Sequence, residues 1–226
     1  MNILDELEKI EKKLKKGEDA KREFWMLVGR IKRSNVLDDD MLARVASIRD
    51  EMFDRRILFG FKAGFLAFLF LFILSYALLY LIAFKPLPDN LRLAGIVGVE
   101  LTALYTSFLV GRCLSAILTG IKVDGFYRYT PLEFGVKINY LSYLKASQRD
   151  RVLLYSGAIV LEHVTMLVHT LFLLSIKSIY WIIPAFFLTV NLPFSYLMHR
   201  MVKTGELHRL IREFRILREM KAKSNK

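Results

Sequence analysis

Long apolar runs alternate with blocks of charge along this chain of 226 residues. The first run, 63–84, carries no charged residue, and a helix of that length would measure about 33 Å, enough to cross a bilayer. Three further apolar runs cover about 93–121, 152–176 and 179–198. The pattern predicts an all-α polytopic membrane protein with four transmembrane helices.

Residues 1–56 have the pattern of soluble amphipathic helices. Apolar residues recur there every three or four positions, the spacing of one helix face, at Ile3, Leu7, Ile10 and Leu14 and again at Phe24, Leu27, Val28 and Ile31. The acidic run at 38–40 predicts the start of a third helix, because carboxylates there accept from free N–H groups. So short a segment cannot bury a large core alone. We expect it to pack on the membrane domain, on a second copy or on a partner.

A polar segment at 122–151 separates the second and third apolar runs. Aromatic and β-branched side chains alternate with other residues in its middle, at Phe134, Val136, Ile138 and Tyr140. Thr130 and Pro131 supply turn residues before them. The pattern predicts a short β-hairpin, and the alternative is an interfacial loop with aromatic anchors.

The chain ends in a basic amphipathic tail at 200–226. Within 204–220 an apolar stripe at helical spacing comprises Leu207, Leu210, Ile211, Phe214 and Leu217. We expect this stripe to lie in the headgroup region or against the N-terminal helices. The predicted organisation is therefore a helical segment at 1–56, a four-helix membrane domain at 57–199 and the tail.

The charge balance predicts an orientation. Lysine and arginine number 34 against 22 acidic residues, a formal net charge of +12, and many of these cations lie in the 122–151 segment and the tail. The positive-inside rule then places both termini and this segment in the cytoplasm, as a multi-pass protein of the cell membrane. No basic segment is interleaved with aromatics as in a nucleic-acid surface, so we expect contacts with membrane lipid and none with nucleic acid. The cations expected at lipid headgroups are Arg112, Arg149, Arg151, Arg200 and Lys203.

Four side chains inside the predicted spans form a candidate polar site: Glu100, Glu162, His163 and His169. Such groups are costly in hydrocarbon, so each should have a partner or a function. Glu100 and His169 both lie about 10 Å from the same end of neighbouring antiparallel spans, so their side chains could meet. The pair is interpreted either as a site for protons, a cation or a metal, or as a polar contact that holds two helices in register.

Three motifs follow one another along the chain: VELTA at 99–103, GR at 111–112 and GIKVDGFYRY at 120–129. The stretch resembles the membrane core of site-2-type intramembrane zinc metalloproteases in their compact archaeal forms. In that family a membrane helix carries H-E-x-x-H, in which two imidazoles bind zinc and the glutamate acts as general base.

The residues at the family's motif positions are only partly retained. Glu100 matches the glutamate, but Val99 and Ala103 occupy the histidine positions and cannot bind zinc. Asn191-Leu192-Pro193 resembles the family's later motif, but no aspartate follows it. The resemblance therefore implies a pseudoprotease without the family's catalytic zinc.

These features predict a non-catalytic membrane protein that binds lipid, a protein partner or a second copy through residues 1–56 and 204–220. One alternative is a small proton- or ion-coupled carrier that uses Glu100, Glu162 and His169. Another is a metalloenzyme with a rearranged site. No cofactor is expected except zinc in this last case.

Overall fold

The computed structural model describes residues 3–34, 38–53, 56–130, 133–203 and 205–224. The fold is predominantly helical, and four helices are long and apolar enough to cross a membrane. In chain order the elements are α1 (Ile3–Lys15), α2 (Lys21–Ile31), α3 (Asp39–Met52), β1 (Ile57–Gly60), α4 (Phe61–Phe84), α5 (Asp89–Thr119), β2 (Val123–Thr130), β3 (Glu133–Ile138), α6 (Tyr140–Lys145), α7 (Gln148–Ser175), a 3-10 turn (Ile179–Trp181), α8 (Ile182–Met201) and α9 (Gly205–Ser224).

The four long helices α4, α5, α7 and α8 form an antiparallel bundle. The backbones of α5 and α7 approach closely at two glycines, because a Cβ atom added to Gly111 would lie 2.6 Å from the carbonyl oxygen of Gly157. Helix α5 begins at Asp89 and α7 at Gln148, in both cases before the predicted apolar run. The early start of α7 follows from Ser147, whose side chain caps the helix by accepting from the Asp150 N–H.

Helices α1, α2 and α3 form an N-terminal unit at one end of this bundle. The predicted acidic start of the third helix is present, since Asp38 accepts from the backbone N–H of Asp40. The apolar stripes meet in a core that continues through Leu144 of α6 into the bundle, where it includes Ala116 and Leu154. The unit therefore packs on the four-helix bundle, which is the first of the three predicted arrangements.

A three-stranded antiparallel sheet in the order β1-β2-β3 lies beside the start of α4. The predicted hairpin is confirmed as β2 and β3, while Pro131 of its predicted turn lies outside the described residues. The strand β1 was not predicted, and it pairs with β2 just before the chain enters α4. The buried ring of Phe126 in β2 packs against Gly64 and occupies the space that a larger side chain at position 64 would need.

Since the bundle is antiparallel, α4 and α7 begin where α5 and α8 end, and we call this the junction end. The tail helix α9 folds back there onto α7 and α8. It also reaches the N-terminal unit, because Arg33 and Glu219 form an ion pair at 2.8 Å. The predicted stripe of the tail is half-buried in these contacts, except for Phe214, which is exposed. The tail therefore contacts the N-terminal helices, as one of the two predictions expected, and its placement in the headgroup region stays a prediction.

Candidate functional site

Glu100 and His169, which the sequence places at equal depth, are in direct contact in the bundle interior. The His169 Nδ1 lies 2.9 Å and 3.1 Å from the two carboxylate oxygens of Glu100. Both side chains are buried, with Glu100 at 0% and His169 at 1% exposure. The contact joins α5 to α7, the closest pair of helices in the bundle.

A third side chain, Tyr76 of α4, completes the surroundings of this pair. Its ring lies edge-on to the imidazole, with the two centroids 4.5 Å apart. The Nε2 atom of His169 is buried and has no hydrogen-bond partner among the described residues. The arrangement can hold a proton between a carboxylate and an imidazole, and it leaves one ring nitrogen unsatisfied.

Glu162 and His163 belong to a different site from Glu100 and His169. Both line a cleft of about 250 Å³ between α7, α8 and the start of α9, together with Asn191 and Glu206. Glu162 is hydrogen-bonded to Asn191, and the His163 Nδ1 lies 2.7 Å from the backbone oxygen of Ile159. The three residues of the predicted carrier site are therefore not brought together.

A rearranged zinc site would need at least three converging ligands. Within the described ranges, no group of three or more histidine, cysteine, aspartate or glutamate side chains could hold a metal ion. Val99 and Ala103, at the histidine positions of the protease motif, are both buried against protein. Glu100 bonds to His169 in place of a metal-bound water.

The five cations predicted at lipid headgroups divide into two sets. Arg149, Arg200 and Lys203 are exposed at the junction end, where a headgroup contact is open to them. Arg112 and Arg151 differ from the prediction, since they are 4% and 5% exposed and face protein groups.

The guanidinium groups of the two buried arginines interact with other groups of the protein. Arg112 forms an ion pair with Glu206 of α9, and its guanidinium lies 4.6 Å from the centroid of the Tyr155 ring. Arg151 donates to the side chain of Gln148 at 2.7 Å and to the backbone oxygen of Leu144 at 3.2 Å. The tail helix therefore supplies the partner that lipid was expected to supply for Arg112.

A buried polar cluster around Glu213 joins the N-terminal unit, the bundle and the tail. Lys32 donates to the Glu213 carboxylate and to the Tyr143 hydroxyl, each at 2.7 Å. The Tyr143 hydroxyl donates to the same carboxylate at 2.9 Å, and Gln148 donates to it at 3.0 Å. Glu213 is fully buried, so its charge is balanced by these donors and by Arg212 and Arg151, which lie 3.4 Å and 3.9 Å from its carboxylate.

The surroundings shift the pKa of both charged members of this cluster. Burial lowers the pKa of Lys32 to about 7, although the charge of Glu213 opposes this shift. Burial alone would raise the pKa of Glu213, but the charge and hydrogen bond of Lys32 and the hydrogen bond of Gln148 outweigh it and lower the pKa to about 2. Glu213 therefore stays ionised at neutral pH.

Next to the Glu213 cluster lies a cleft of about 200 Å³, which we call the junction cleft. It lies between the N-terminal unit, strands β2 and β3, the junction end of the bundle, and α9. Among the described residues, five cationic side chains line it and no carboxylate does; the cations are Arg49, Arg112, Lys137, Arg209 and Arg212.

Aromatic rings hold three of these guanidinium groups in place. Arg49 lies 5.0 Å from the ring centroid of Tyr140, and Arg212 lies 6.0 Å from that of Trp25. Arg112 lies over Tyr155, as described above. Stacking fixes the plane of a guanidinium while its N–H groups remain available at the edge.

No pattern in the sequence indicates this cleft. Its residues come from eight separate elements, and a single chain without its fold does not show that Arg49, Lys137 and Arg209 lie together. The aromatic residues of the 122–151 segment and the basic tail were both recognised as interfacial features. Their convergence on one cleft follows only from the packing of α9 on the bundle.

No known protein family, curated protein or solved structure matches this chain. The resemblance to site-2-type proteases therefore stays a prediction, and the functional argument rests on the residues themselves.

Proposed function

We propose that this chain is a non-catalytic multi-pass protein of the cell membrane whose cytoplasmic, junction end binds anionic membrane lipid. Its resemblance to a zinc protease without the zinc-binding histidines supports the non-catalytic part of the proposal. The buried contact of Glu100 with His169 supports it further, because this carboxylate already has an imidazole as its hydrogen-bond partner.

The single observation that carries the proposal is the difference in charge between the two ends of the bundle. Exposed cations surround the junction end, and they comprise Arg56, Lys62, Lys122, Arg149, Arg200 and Lys203. At the opposite end, Lys85 and Lys177 are exposed, and Asp89 accompanies them. Such asymmetry favours a cytoplasmic junction end, where anionic headgroups attract Lys and Arg by about 1 kcal/mol each.

The way the N-terminal unit is attached supports a fixed binding surface. The Glu213 cluster and the continuous apolar core hold the unit against the bundle. Its surface and that of α9 are therefore held at the level of the helix ends, where headgroups lie. A unit on a free linker would have to pay ordering entropy on binding, which this arrangement avoids.

Lipid retention of the purified protein tests the proposal. The protein is extracted in mild detergent, supplied with equal amounts of phosphatidylglycerol and phosphatidylcholine, and examined by native mass spectrometry. We expect phosphatidylglycerol to be retained preferentially. The combined variant Arg149→Glu, Arg200→Glu, Lys203→Glu should lose that preference. The matched control Lys85→Glu, Lys177→Glu, at the opposite end, should keep it. Equal retention of the two lipids by the wild-type protein would refute the proposal.

A second candidate function is proton or cation coupling, and the Glu100–His169 contact favours it. A buried carboxylate–imidazole pair with one unsatisfied ring nitrogen is a group of the kind that proton carriers use. Glu100→Gln keeps the hydrogen-bonding shape and removes the charge. In proteoliposomes that hold a pH-sensitive dye, this variant should abolish flux if the pair carries protons, with His199→Gln at the junction end of α8 as the control. An absence of flux in the wild-type protein would exclude this second function.

A further inference from the structure

The junction cleft has a larger positive charge than its protein partners neutralise. In the described part of the chain, the carboxylates within ion-pair distance of its cations are Asp50, Glu206 and Glu213. Glu206 is shared between Arg112 and Arg209. Glu213 also neutralises the neighbouring Lys32 and Arg151.

Seven cationic groups therefore share three carboxylates around one small cleft. Charges of one sign this close together repel one another in a partly desolvated site. An anion of more than one charge, bound in the cleft, would remove much of that repulsion.

Two side chains that line the cleft carry buried donors without an acceptor. The Arg112 Nε and the Tyr140 hydroxyl have no hydrogen-bond partner among the described residues. Both side chains are more than nine-tenths buried, at 4% and 7% exposure. A buried donor without an acceptor is destabilising, so each requires an oxygen atom that none of the described residues supplies.

The chemistry of these donors indicates the class of anion. Guanidinium groups present their N–H atoms as a planar fork that matches the oxygens of phosphate, and the aromatic rings already fix their orientation. Burial raises the pKa of Tyr140, so its hydroxyl stays protonated and can donate a hydrogen bond to an anion. At ~30 Å³ per water molecule, the cleft has the volume of about seven waters. That space admits a phosphate group with a small substituent.

We propose that the junction cleft binds a phosphomonoester group, with Arg112, Tyr140 and Lys137 as its principal donors. This goes beyond the proposed function, because diffuse attraction to anionic lipid needs neither a cleft nor directed donors. The group is presented either by a membrane lipid whose headgroup ends in phosphate or by a soluble phosphate compound. The chemistry of recognition is the same in both cases.

The first arm of the test uses the full chain in a neutral detergent without added lipid. Inorganic phosphate is titrated and the thermal midpoint is followed. We expect a saturable rise, and we expect Tyr140→Phe and Lys137→Gln each to weaken phosphate binding by about tenfold. Tyr140→Phe removes only the unpartnered hydroxyl, so it should not lower the midpoint of the phosphate-free protein. The matched controls Tyr180→Phe and Lys85→Gln, at the opposite end of the bundle, should bind phosphate like the wild type.

The second arm distinguishes the two sources of the group. The protein in nanodiscs is given phosphatidic acid, which has a terminal phosphate, or phosphatidylglycerol, whose phosphate is a diester. Competition between phosphatidic acid and inorganic phosphate, weakened by Tyr140→Phe, would assign the site to a lipid. Phosphate binding that phosphatidic acid leaves unchanged would assign it to a soluble phosphomonoester.

The proposal is overturned if neither probe raises the midpoint saturably, since water would then satisfy the buried donors. It is also overturned if Tyr140→Phe and Lys137→Gln bind phosphate as tightly as the wild type. These results are separate from the test of lipid preference, because the variants at Arg149, Arg200 and Lys203 leave the cleft intact.

Discussion

At the scale of single residues, the molecule is defined by charged groups that are buried with their partners. Glu100 with His169, Arg112 with Glu206, and Lys32 with Glu213 each join two elements that are distant in sequence. A buried charge whose partner is removed is much more costly than an apolar pair of the same volume. Each pair should therefore respond more strongly to the loss of one member than to the loss of both.

The Glu100–His169 pair allows this to be tested directly. Glu100→Leu and His169→Leu should each destabilise the protein, by about 1–3 kcal/mol, because each leaves a buried polar group without its partner. The double variant should recover part of that loss. Thermal midpoints of the three variants in one detergent give the comparison. Additive losses in the double variant would mean that the two side chains are not coupled.

The Glu213 carboxyl predicts how stability changes with pH. Its pKa in the folded protein is about 2 against an ordinary 4.5, so it stabilises the fold above pH 4.5. That contribution is lost as the pH falls from 4.5 toward 2, and it amounts to about 3 kcal/mol. The stability of Glu213→Gln should therefore depend less on pH in this window than that of the wild type. Parallel pH profiles of the thermal midpoint would contradict the assignment.

Residue placement could be predicted from the sequence only where depth alone decided it. Counting helical rise from the ends of two antiparallel spans was enough to bring Glu100 and His169 together. The same depth estimate placed Arg112 at the headgroups. The sequence around Arg112 does not show that Glu206 of the tail and the ring of Tyr155 contact it. Arg112 and Glu206 are 94 residues apart in the chain, and an ion pair at such a separation leaves no local pattern in the sequence.

At the scale of the elements, the apolar periodicity predicted the helices well and the small strand poorly. The four long runs became α4, α5, α7 and α8, because length and hydropathy decide such helices without tertiary information. Strand β1 has only four residues and is stabilised by its pairing with β2, so propensity alone does not define it. The hairpin β2–β3 was predictable because apolar residues alternate along β3 and the turn residues Thr130 and Pro131 precede it.

Close packing of α5 on α7 predicts a difference between two glycines of the same helix. Gly111→Ala places a methyl group against the backbone of α7 and should lower the thermal midpoint, since backbone atoms cannot give way. Gly98→Ala meets no atom within 4 Å, and it should leave stability unchanged or raise it by up to about 1 kcal/mol. Thermal unfolding in detergent compares the pair. Equal effects of the two substitutions would show that the contact of Gly111 with α7 contributes nothing.

At the scale of the whole molecule, the N-terminal unit, the bundle and the tail share one interior at the junction end. The sequence predicted the three parts but left open whether the first packs on the bundle, on a second copy or on a partner. The apolar stripes of α1, α2 and α3 show which helix faces are buried, but they do not show which surface packs against those faces. The Glu213 cluster shows that the first packs on the bundle, because each part contributes a side chain to it. The junction cleft is a product of the same convergence.

The central claim is that the junction end binds anionic lipid, and its most direct test is the stability of the protein in bilayers of defined composition. Thermal midpoints are measured in nanodiscs of phosphatidylcholine with increasing phosphatidylglycerol, at low and at high salt. A ligand that binds the folded state raises its midpoint, and salt screens exposed charges. We expect the midpoint to rise with phosphatidylglycerol, and to rise less at high salt and in the Arg149, Arg200 and Lys203 charge-reversal variant. A midpoint that is independent of phosphatidylglycerol at low salt would contradict the claim.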